Sequence, residues 1–294
     1  MAGSIRVTAA AKVNLHLRVY PRRSDGFHGI LSLFQAVSLA DELVIRSLKE
    51  SDTIEIKGDF DCPAEFTTVY KAASAYLCAS GLKRGLSISV DKRIPAGAGL
   101  GGGSSDAAAT LLGLEACLGG GLDQSRLSSI GASIGSDVPF FLNAAAAIVS
   151  GRGEVVEAIE ARADFRLLLV DPGFPVSTVS AYGLLDMNRR RDDEARELDP
   201  TPGELIAAYR GRIRDWPFAN SFEPIIGEQR REIANIRRLL LDSGASFAAM
   251  SGSGSTLFGV FEEGSRPCDA ADRLRAVGYK TYIVSPLARM PCLD

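Results

Sequence analysis

The stretch Ile94-Pro-Ala-Gly-Ala-Gly-Leu-Gly-Gly-Gly-Ser-Ser105 carries five glycines, at 97, 99, 101, 102 and 103. Ahead of it, Leu86-Ser-Ile-Ser-Val90 alternates apolar and polar residues with the period of a half-buried strand. Behind it, Asp106-Ala-Ala-Ala-Thr-Leu-Leu-Gly-Leu-Glu115 reads as a helix. Strand, glycine loop and helix N-terminus in succession make an anion site. Glycine accepts positive φ and allows close backbone approach, so successive N–H groups can converge on one oxyanion. The first helical turn adds unsatisfied amides and the positive end of its dipole. A plain turn would not need five glycines at their entropic cost, and the stretch predicts a phosphate loop.

Two familiar phosphate loops fit it poorly. Gly97-Ala-Gly-Leu-Gly-Gly102 satisfies the G-x-G-x-x-G dinucleotide pattern, which on its own is weak. The acidic residue that pattern wants roughly 20 positions later would be Asp123, which lies in the Gly-rich turn Gly119-Gly-Gly-Leu-Asp-Gln124. A P-loop needs Gly-Lys-Ser/Thr after its glycines, and none follows here.

Bulk properties set the scene. The chain has 294 residues, enough for two domains, with 46% hydrophobic and 23% charged residues, as in ordinary globular enzymes. A net charge of −3 leaves no electrostatic footprint for nucleic acid. The basic run Arg189-Arg190-Arg191 is answered at once by Asp192-Asp193-Glu194 and reads as a solvated face. Cys62, Cys78, Cys117, Cys268 and Cys292 show no C-x-x-C spacing and are odd in number, which predicts reduced thiols and a cytoplasmic protein. With two histidines, His16 and His28, a histidine-rich metal site is not expected. No signal-peptide pattern and no apolar run of 18 residues is seen, so neither secretion nor a membrane partner is expected.

The N-terminal part reads as short strands, Ile5–Ala9 and Val13–Val19, followed by a polar loop, Tyr20–Gly29, with a glycine-centred turn. Thr53–Lys57 reads as a strand and Thr68–Ala79 as a helix. Asp123 reads as the N-cap of a helix over Gln124–Ile134, and Ala145–Ser150 as a further strand. A second unit begins near Arg162, with strands at Leu167–Val170, Ser246–Met250, Leu257–Phe261 and Thr281–Val284 and a helix near Cys268–Ala276. Asn188–Glu204 reads as an exposed excursion. Between two of the later strands lies a second glycine loop, Ser251-Gly-Ser-Gly-Ser-Thr256, with the alternative of a simple hairpin turn. The pattern predicts an α+β protein of two domains, 1–161 and 162–294, with a ligand cleft between them.

Three blocks in this order resemble the GHMP small-molecule kinases, among them galactokinase, homoserine kinase and mevalonate kinase. They are Ala11-Lys12-Val13-Asn14-Leu15, Pro95–Asp106 and Met250–Thr256. Arg23-Ser-Asp-Gly-Phe-His28 and Gly135-Ser-Asp-Val-Pro139 are similar to the branch of that superfamily whose acceptor is a cytidine-diphosphate-linked alcohol. The resemblance implies an N-terminal α/β domain, a ferredoxin-like C-terminal domain and an active site between them. It implies ATP as phosphoryl donor, held by Pro95, Ala96, Gly97, Ala98, Gly99, Leu100, Gly101, Gly102, Gly103, Ser104 and Ser105. It assigns Lys12 and Asp137 as the catalytic pair, and Asn14, Phe27, His28, Thr178 and Tyr182 to the small-molecule acceptor. Three departures stand out: Phe27 where relatives have tyrosine, Phe66-Thr67-Thr68 where they have Asp-Asn-Leu, and Ser221 in place of an acidic residue.

Phosphoryl transfer to an alcohol needs anion stabilisation, alignment and a proton acceptor. In this reading the glycine loop supplies the first, Asp137 accepts the proton, and Lys12 holds Asp137 ionised and stabilises the moving charge. Phe27 would stack on a base while His28 reads its polar edge. Mg²⁺ is expected with the nucleotide phosphates rather than in a protein metal site. Two rival readings are a GHMP kinase for homoserine or a mevalonate, and a nucleotide- or NAD-binding protein without catalysis. The Phe27-His28 pair speaks against the first, Lys12 with Asp137 against a nucleotide-binding protein without catalysis, and failure to bind NAD in a fluorescence titration would remove the NAD reading.

Overall fold

The computed structural model describes residues 4–48, 51–188 and 199–291. The basic and acidic run at 189–194 and Cys292 lie outside the described residues. The chain opens with a long antiparallel hairpin, β1 (Ser4–Arg22) and β2 (His28–Leu48). Where two strands and a ten-residue loop were expected, one 19-residue strand runs through. Its register shifts at Ala10/Ala11, Asn14/His16 and Val19/Arg22. Such bulges let a strand change direction without ending, so the sequence pattern breaks although the ladder does not. The predicted loop shrinks to a turn around Gly26, whose φ is +83°.

β3 (Ile54–Lys57), α1 (Thr68–Ser80), β4 (Gly85–Asp91) and α2 (Gly102–Leu118) follow. Then come α3 (Gln124–Ile134), α4 (Val138–Asn143), β5 (Ala146–Ser150) and β6 (Val155–Ala158). The strands form one sheet in the order β3-β4-β2-β5-β6, with β1 paired to β2; β3 and β4 are parallel and the other pairs antiparallel. Asp123 caps α3 as expected, accepting from the Arg126 N–H at 2.8 Å.

The second sheet is built from β7 (Phe165–Asp171), β8 (Phe247–Met250), β9 (Leu257–Glu262) and β10 (Lys280–Val284). Its order, β10-β7-β9-β8, is antiparallel throughout and is that of a ferredoxin-like unit. Among its helices are α5 (Thr178–Asn188), α6 (Pro202–Arg210), α7 (Glu223–Gln229), α8 (Arg231–Asp242) and α9 (Pro267–Ala276). The expected excursion over Asn188–Glu204 ends early. Thr201 and Glu204 form a reciprocal capping box that starts α6, with Pro202 in its first turn.

Strand alternation decides what meets between the sheets. Ala11, Val13 and Leu15 of β1 and Leu31 and Leu33 of β2 join a core with Leu167, Leu169, Phe258 and Val260. Leu168 and Val170 point the other way, into the core that contains Leu240, Ala271 and Leu274. The unbroken run Leu167–Val170 is therefore buried on both faces. The same alternation turns Lys12 and Asn14 away from Ala11 and Val13.

His16 is one consequence of this packing. Its Nδ1 accepts from the Ala219 N–H at 3.3 Å, while its Nε2 is buried without a partner among the described residues. Burial, opposed by Asp199 and reinforced by Arg18, lowers its pKa from 6.5 to about 4. A lowered folded-state pKa means the unfolded chain binds the proton more readily. Stability from this group is thus complete above the unfolded pKa and is lost as pH falls toward the folded one, on the order of 3 kcal/mol. His16→Asn keeps an acceptor for Ala219 and removes the titration. Unfolding titrations at pH 7.5 and 4.5 should show a smaller stability difference in the variant than in the parent; equal differences would refute the assignment.

Candidate active site

Between β4 and α2 the chain forms the predicted glycine loop. Gly97, Gly99 and Gly101 have φ of +63°, +78° and +73°, and the intervening Ala98 and Leu100 are buried. Left-handed glycines alternating with inward apolar anchors turn backbone amides to one side, the geometry of an anion nest. Gly101 is the N-cap residue, so α2 begins at Gly102 and not at Asp106. Gly102, Gly103, Ser104 and Ser105 therefore form the first helical turn, and Pro95, Ala96 and Gly97 form the approach to it. The 17-residue α2 aims its positive end at the loop.

Two of the glycines have steric reasons to be glycine. A Cβ on Gly99 would fall 2.1 Å from the Ser251 carbonyl oxygen, in the second glycine loop. One on Gly101 would fall 2.9 Å from Phe141 Cζ and 3.1 Å from Lys12 Cε. Gly101→Val should accordingly weaken ATP binding by about tenfold or more, since a β-branched residue at positive φ carries roughly 1–3 kcal/mol of strain. The check is an ATP titration of a variant whose circular dichroism matches the parent; unchanged affinity would dissociate this loop from the nucleotide. Gly102 has no such φ requirement, and its restriction is the Ile94 side chain, 3.0 Å from where its Cβ would sit.

Lys12 lies at the foot of this loop, 4% exposed. Its N–H donates to Leu100 O at 3.0 Å, and its Nζ donates to Asn14 Oδ1 at 2.6 Å and Gly99 O at 3.3 Å. Asp137 Oδ2 stands 3.4 Å from the same Nζ, and the Phe34 ring lies 4.6 Å below it. Burial lowers the Lys12 pKa and the Asp137 charge opposes that shift. Asp137 is the N-cap residue of α4 in sequence position only. Among the described residues its carboxylate caps no helix N–H, and it remains free to face Lys12 and the cleft.

Asn14 is held by both ends of its amide, with Nδ2 donating to Ser32 Oγ at 3.0 Å. Ser32 in turn donates to the His16 carbonyl. Ser251, which the motif reading left without a role, accepts the Asn14 N–H at 3.2 Å and donates to Gly99 O at 2.9 Å. Thr256 N–H donates to Ala98 O at 3.2 Å. The second glycine loop is therefore more than a hairpin turn, because it ties the phosphate loop to the second sheet.

In the second unit, α5 places Thr178, Tyr182 and Asp186 at i, i+4 and i+8, on one face. Thr178 Oγ1 lies 3.2 Å from Ser253 Oγ of the second glycine loop. Tyr182 packs at 4.9 Å, centroid to centroid, on His28, and at 5.0 Å on Phe222. His28 opens β2 and is held at Nδ1 by the Tyr20 carbonyl, 2.9 Å away. That carbonyl can only accept, so Nδ1 carries a proton and Nε2 is the end that faces Asp186 Oδ2 at 3.4 Å. Phe27 sits in the turn with more than half its surface exposed, and the Arg152 guanidinium lies 4.7 Å over its ring. Sequence reasoning missed Asp186 and Arg152. One is an ordinary helical carboxylate and the other sits in a short β5–β6 turn, so neither carries a local signal.

A glycine nest on a helix N-terminus, a buried lysine paired with a partly exposed aspartate beside it and an aromatic–histidine pair define a site of the GHMP small-molecule kinase class. Residues 67–149 match the family described as GHMP kinases N terminal domain, and residues 206–280 the GHMP kinases C terminal family. A 4-diphosphocytidyl-2-C-methyl-D-erythritol kinase of Thermodesulfovibrio yellowstonii is 42% identical over 281 residues, 95% of this chain and 96% of that one. One of Geobacter metallireducens is 38% identical, over 88% and 89%. The crystal structure of a 4-(cytidine 5'-diphospho)-2C-methyl-D-erythritol kinase superposes with a TM-score of 0.81 at 34% identity, covering 96% of this chain and 98% of that one. A homoserine kinase from Cytophaga hutchinsonii has a TM-score of 0.77 at 19% identity, with 99% and 96% covered, a likeness of fold. The chain belongs to the 4-diphosphocytidyl-2-C-methyl-D-erythritol kinases, within the ATP-dependent GHMP kinases.

Proposed function

We propose that this chain transfers the γ-phosphoryl group of ATP to the 2-hydroxyl of 4-diphosphocytidyl-2-C-methyl-D-erythritol, a step of the non-mevalonate route to isopentenyl diphosphate. The observation that carries the reading is the Lys12–Asp137 pair, set between the phosphate loop and the His28–Tyr182 recess. Asp137, about a third exposed at its side chain, takes the hydroxyl proton as the acceptor oxygen bonds to the γ-phosphorus and the bond to ADP breaks. Lys12, fixed by Asn14 and 3.4 Å from Asp137, meets the charge on the transferring group. Gly97–Ser105 bind the donor phosphates through backbone amides. Asn14, Phe27, His28, Thr178 and Tyr182 form the acceptor side, with Phe27 and Tyr182 on the cytosine faces and His28 on its edge.

Mg²⁺ enters with the nucleotide. Among the described residues no group of three acidic, cysteine or histidine side chains forms a metal cage. The ion would neutralise phosphate charge, and Asp137 is the carboxylate of this site that could help hold it. Residues 1–161 are taken as one domain and 162–294 as the other, because the first sheet ends at Ala158 and the second begins at Phe165. The acceptor is a small molecule; nothing in the charge balance calls for nucleic acid, and among the described residues no helix is long and apolar enough to cross a membrane. Label transfer from γ-labelled ATP to the cytidylylated alcohol tests the reading, and a saturable reaction yielding the 2-phosphate is expected. Transfer to water alone would refute it.

A further inference from the structure

A second charged cluster lies behind the phosphate loop, outside the catalytic pair. Asp41 of β2 is fully buried, and its Oδ1 accepts the N–H groups of Arg93 and Ile94 at 2.5 and 2.8 Å. Those residues lead into the loop. Its Oδ2 accepts from Lys92 Nζ, which also donates to Asp106 Oδ2 at 2.7 Å. Asp106 stands just beyond the first turn of α2, where the loop ends, and is 1% exposed. One ammonium thus bridges two carboxylates, and the bridge spans the whole loop from Ile94 to Asp106. The ends are close in another sense, since a Cβ on Gly102 would come within 3.0 Å of Ile94 Cγ2 and 3.6 Å of Lys92 Nζ.

Such a cluster is an expensive way to fill a core. Two carboxylates share one lysine, and Asp106 Oδ1 is buried with no partner among the described residues. Apolar side chains of similar volume commonly stabilise as well or better. What they cannot do is fix two backbone segments to one point by directional bonds. The segment that needs fixing is rich in glycine and would otherwise sample many conformations. Order already present before binding is not lost on binding, so pre-organisation appears as affinity.

We infer that Lys92, with Asp41 and Asp106, clamps the two ends of the phosphate loop and is a positioning residue for ATP, acting through the loop's backbone amides. The inference rests on the nucleotide reading of that loop. Its specific expectation is a split: affinity for ATP depends on the clamp, while the acceptor side and the Lys12–Asp137 pair do not.

The test measures ATP binding to the full chain by calorimetric titration without acceptor, alongside steady-state kinetics in both substrates. Lys92→Met and Asp106→Ala should each weaken ATP binding and raise KM for ATP about tenfold. Turnover at saturating ATP and KM for the acceptor should stay within about twofold. Lys92→Arg, which keeps the cation, should recover most of the loss. Because a single deletion strands a buried charge and can prevent folding, the triple variant Asp41→Asn/Lys92→Met/Asp106→Leu removes the cation and both carboxylate charges together, while the amide oxygen at position 41 can still accept from Arg93 and Ile94. It should fold with a melting temperature near the parent and still show the tenfold loss. A folded triple variant that binds ATP like the parent overturns the clamp, as does an equal loss in both substrates. A parent chain that binds no ATP refutes the kinase reading itself, a result distinguishable from either.

Discussion

Asp137→Asn should lower turnover by roughly 10²–10⁴-fold, the range for losing a general base, with ATP affinity little changed. The substitution keeps the shape of the side chain and removes its charge. Its carboxylate is 3.4 Å from Lys12 Nζ and lies outside the glycine loop proposed to hold the donor phosphates. The fold should tolerate the change, because among the described residues the side chain caps no helix. Lys12→Ala should also slow the reaction. It removes the cation that faces Asp137 at 3.4 Å, and it also releases Asn14 Oδ1, the closest contact of Nζ at 2.6 Å. If lysine and aspartate act as one unit, the double variant loses less than the sum of the single losses in free energy. Rapid-mix single-turnover kinetics with bound ATP make the comparison, because they separate chemistry from product release. Near-normal turnover in Asp137→Asn would remove it as the base.

What the sequence disclosed follows a physical division between local and distant determinants. The glycine loop, the Asp123 cap and the individual strands of the second sheet are written in neighbouring residues, and they were legible. The Thr201-Pro-Gly-Glu204 start of α6 was equally local, yet it was absorbed into a polar stretch whose charges masked the capping box. α4 was missed because Val138–Asn143 is only six residues long and begins with Val-Pro, which reads as a break. β1 was divided in two because its bulges interrupt a strict alternation while leaving the pairing intact. The site divides in the same way. Lys12 and Asp137 come from different segments and share no spacing, so only likeness to a known family could pair them. Ser251, Asp186 and the Asp41–Lys92–Asp106 bridge have meaning only through partners far away in sequence.

The acceptor should be chosen by its cytidylyl group, with kcat/KM for 4-diphosphocytidyl-2-C-methyl-D-erythritol exceeding that for homoserine or mevalonate by roughly 10⁴-fold or more. That is the order by which sites built to hydrogen-bond a ligand reject analogues without the bonding group. His28 is the reason to expect it. Its Nδ1 is committed to the Tyr20 carbonyl, leaving Nε2 to read a base edge, and Tyr182 holds the ring against movement at 4.9 Å. An acceptor lacking a base leaves that nitrogen against Asp186 with nothing gained. Phe27 is proposed to contribute by stacking. Arg152 already covers one side of its ring at 4.7 Å, so a base would take the other. Loss of such a stack is worth about 1–3 kcal/mol, so Phe27→Ala should reduce kcat/KM for the cytidylylated acceptor by about 5- to 150-fold. His28→Ala should reduce it further, since it removes the bond that discriminates. Both variants should keep the parent's ATP affinity, because the phosphate loop is built on Lys12, Ser251 and α2 and not on this turn. Competition assays with all three alcohols in one mixture give the ratio directly. Faster phosphorylation of homoserine or mevalonate would overturn the acceptor assignment and leave the kinase fold and its donor site standing.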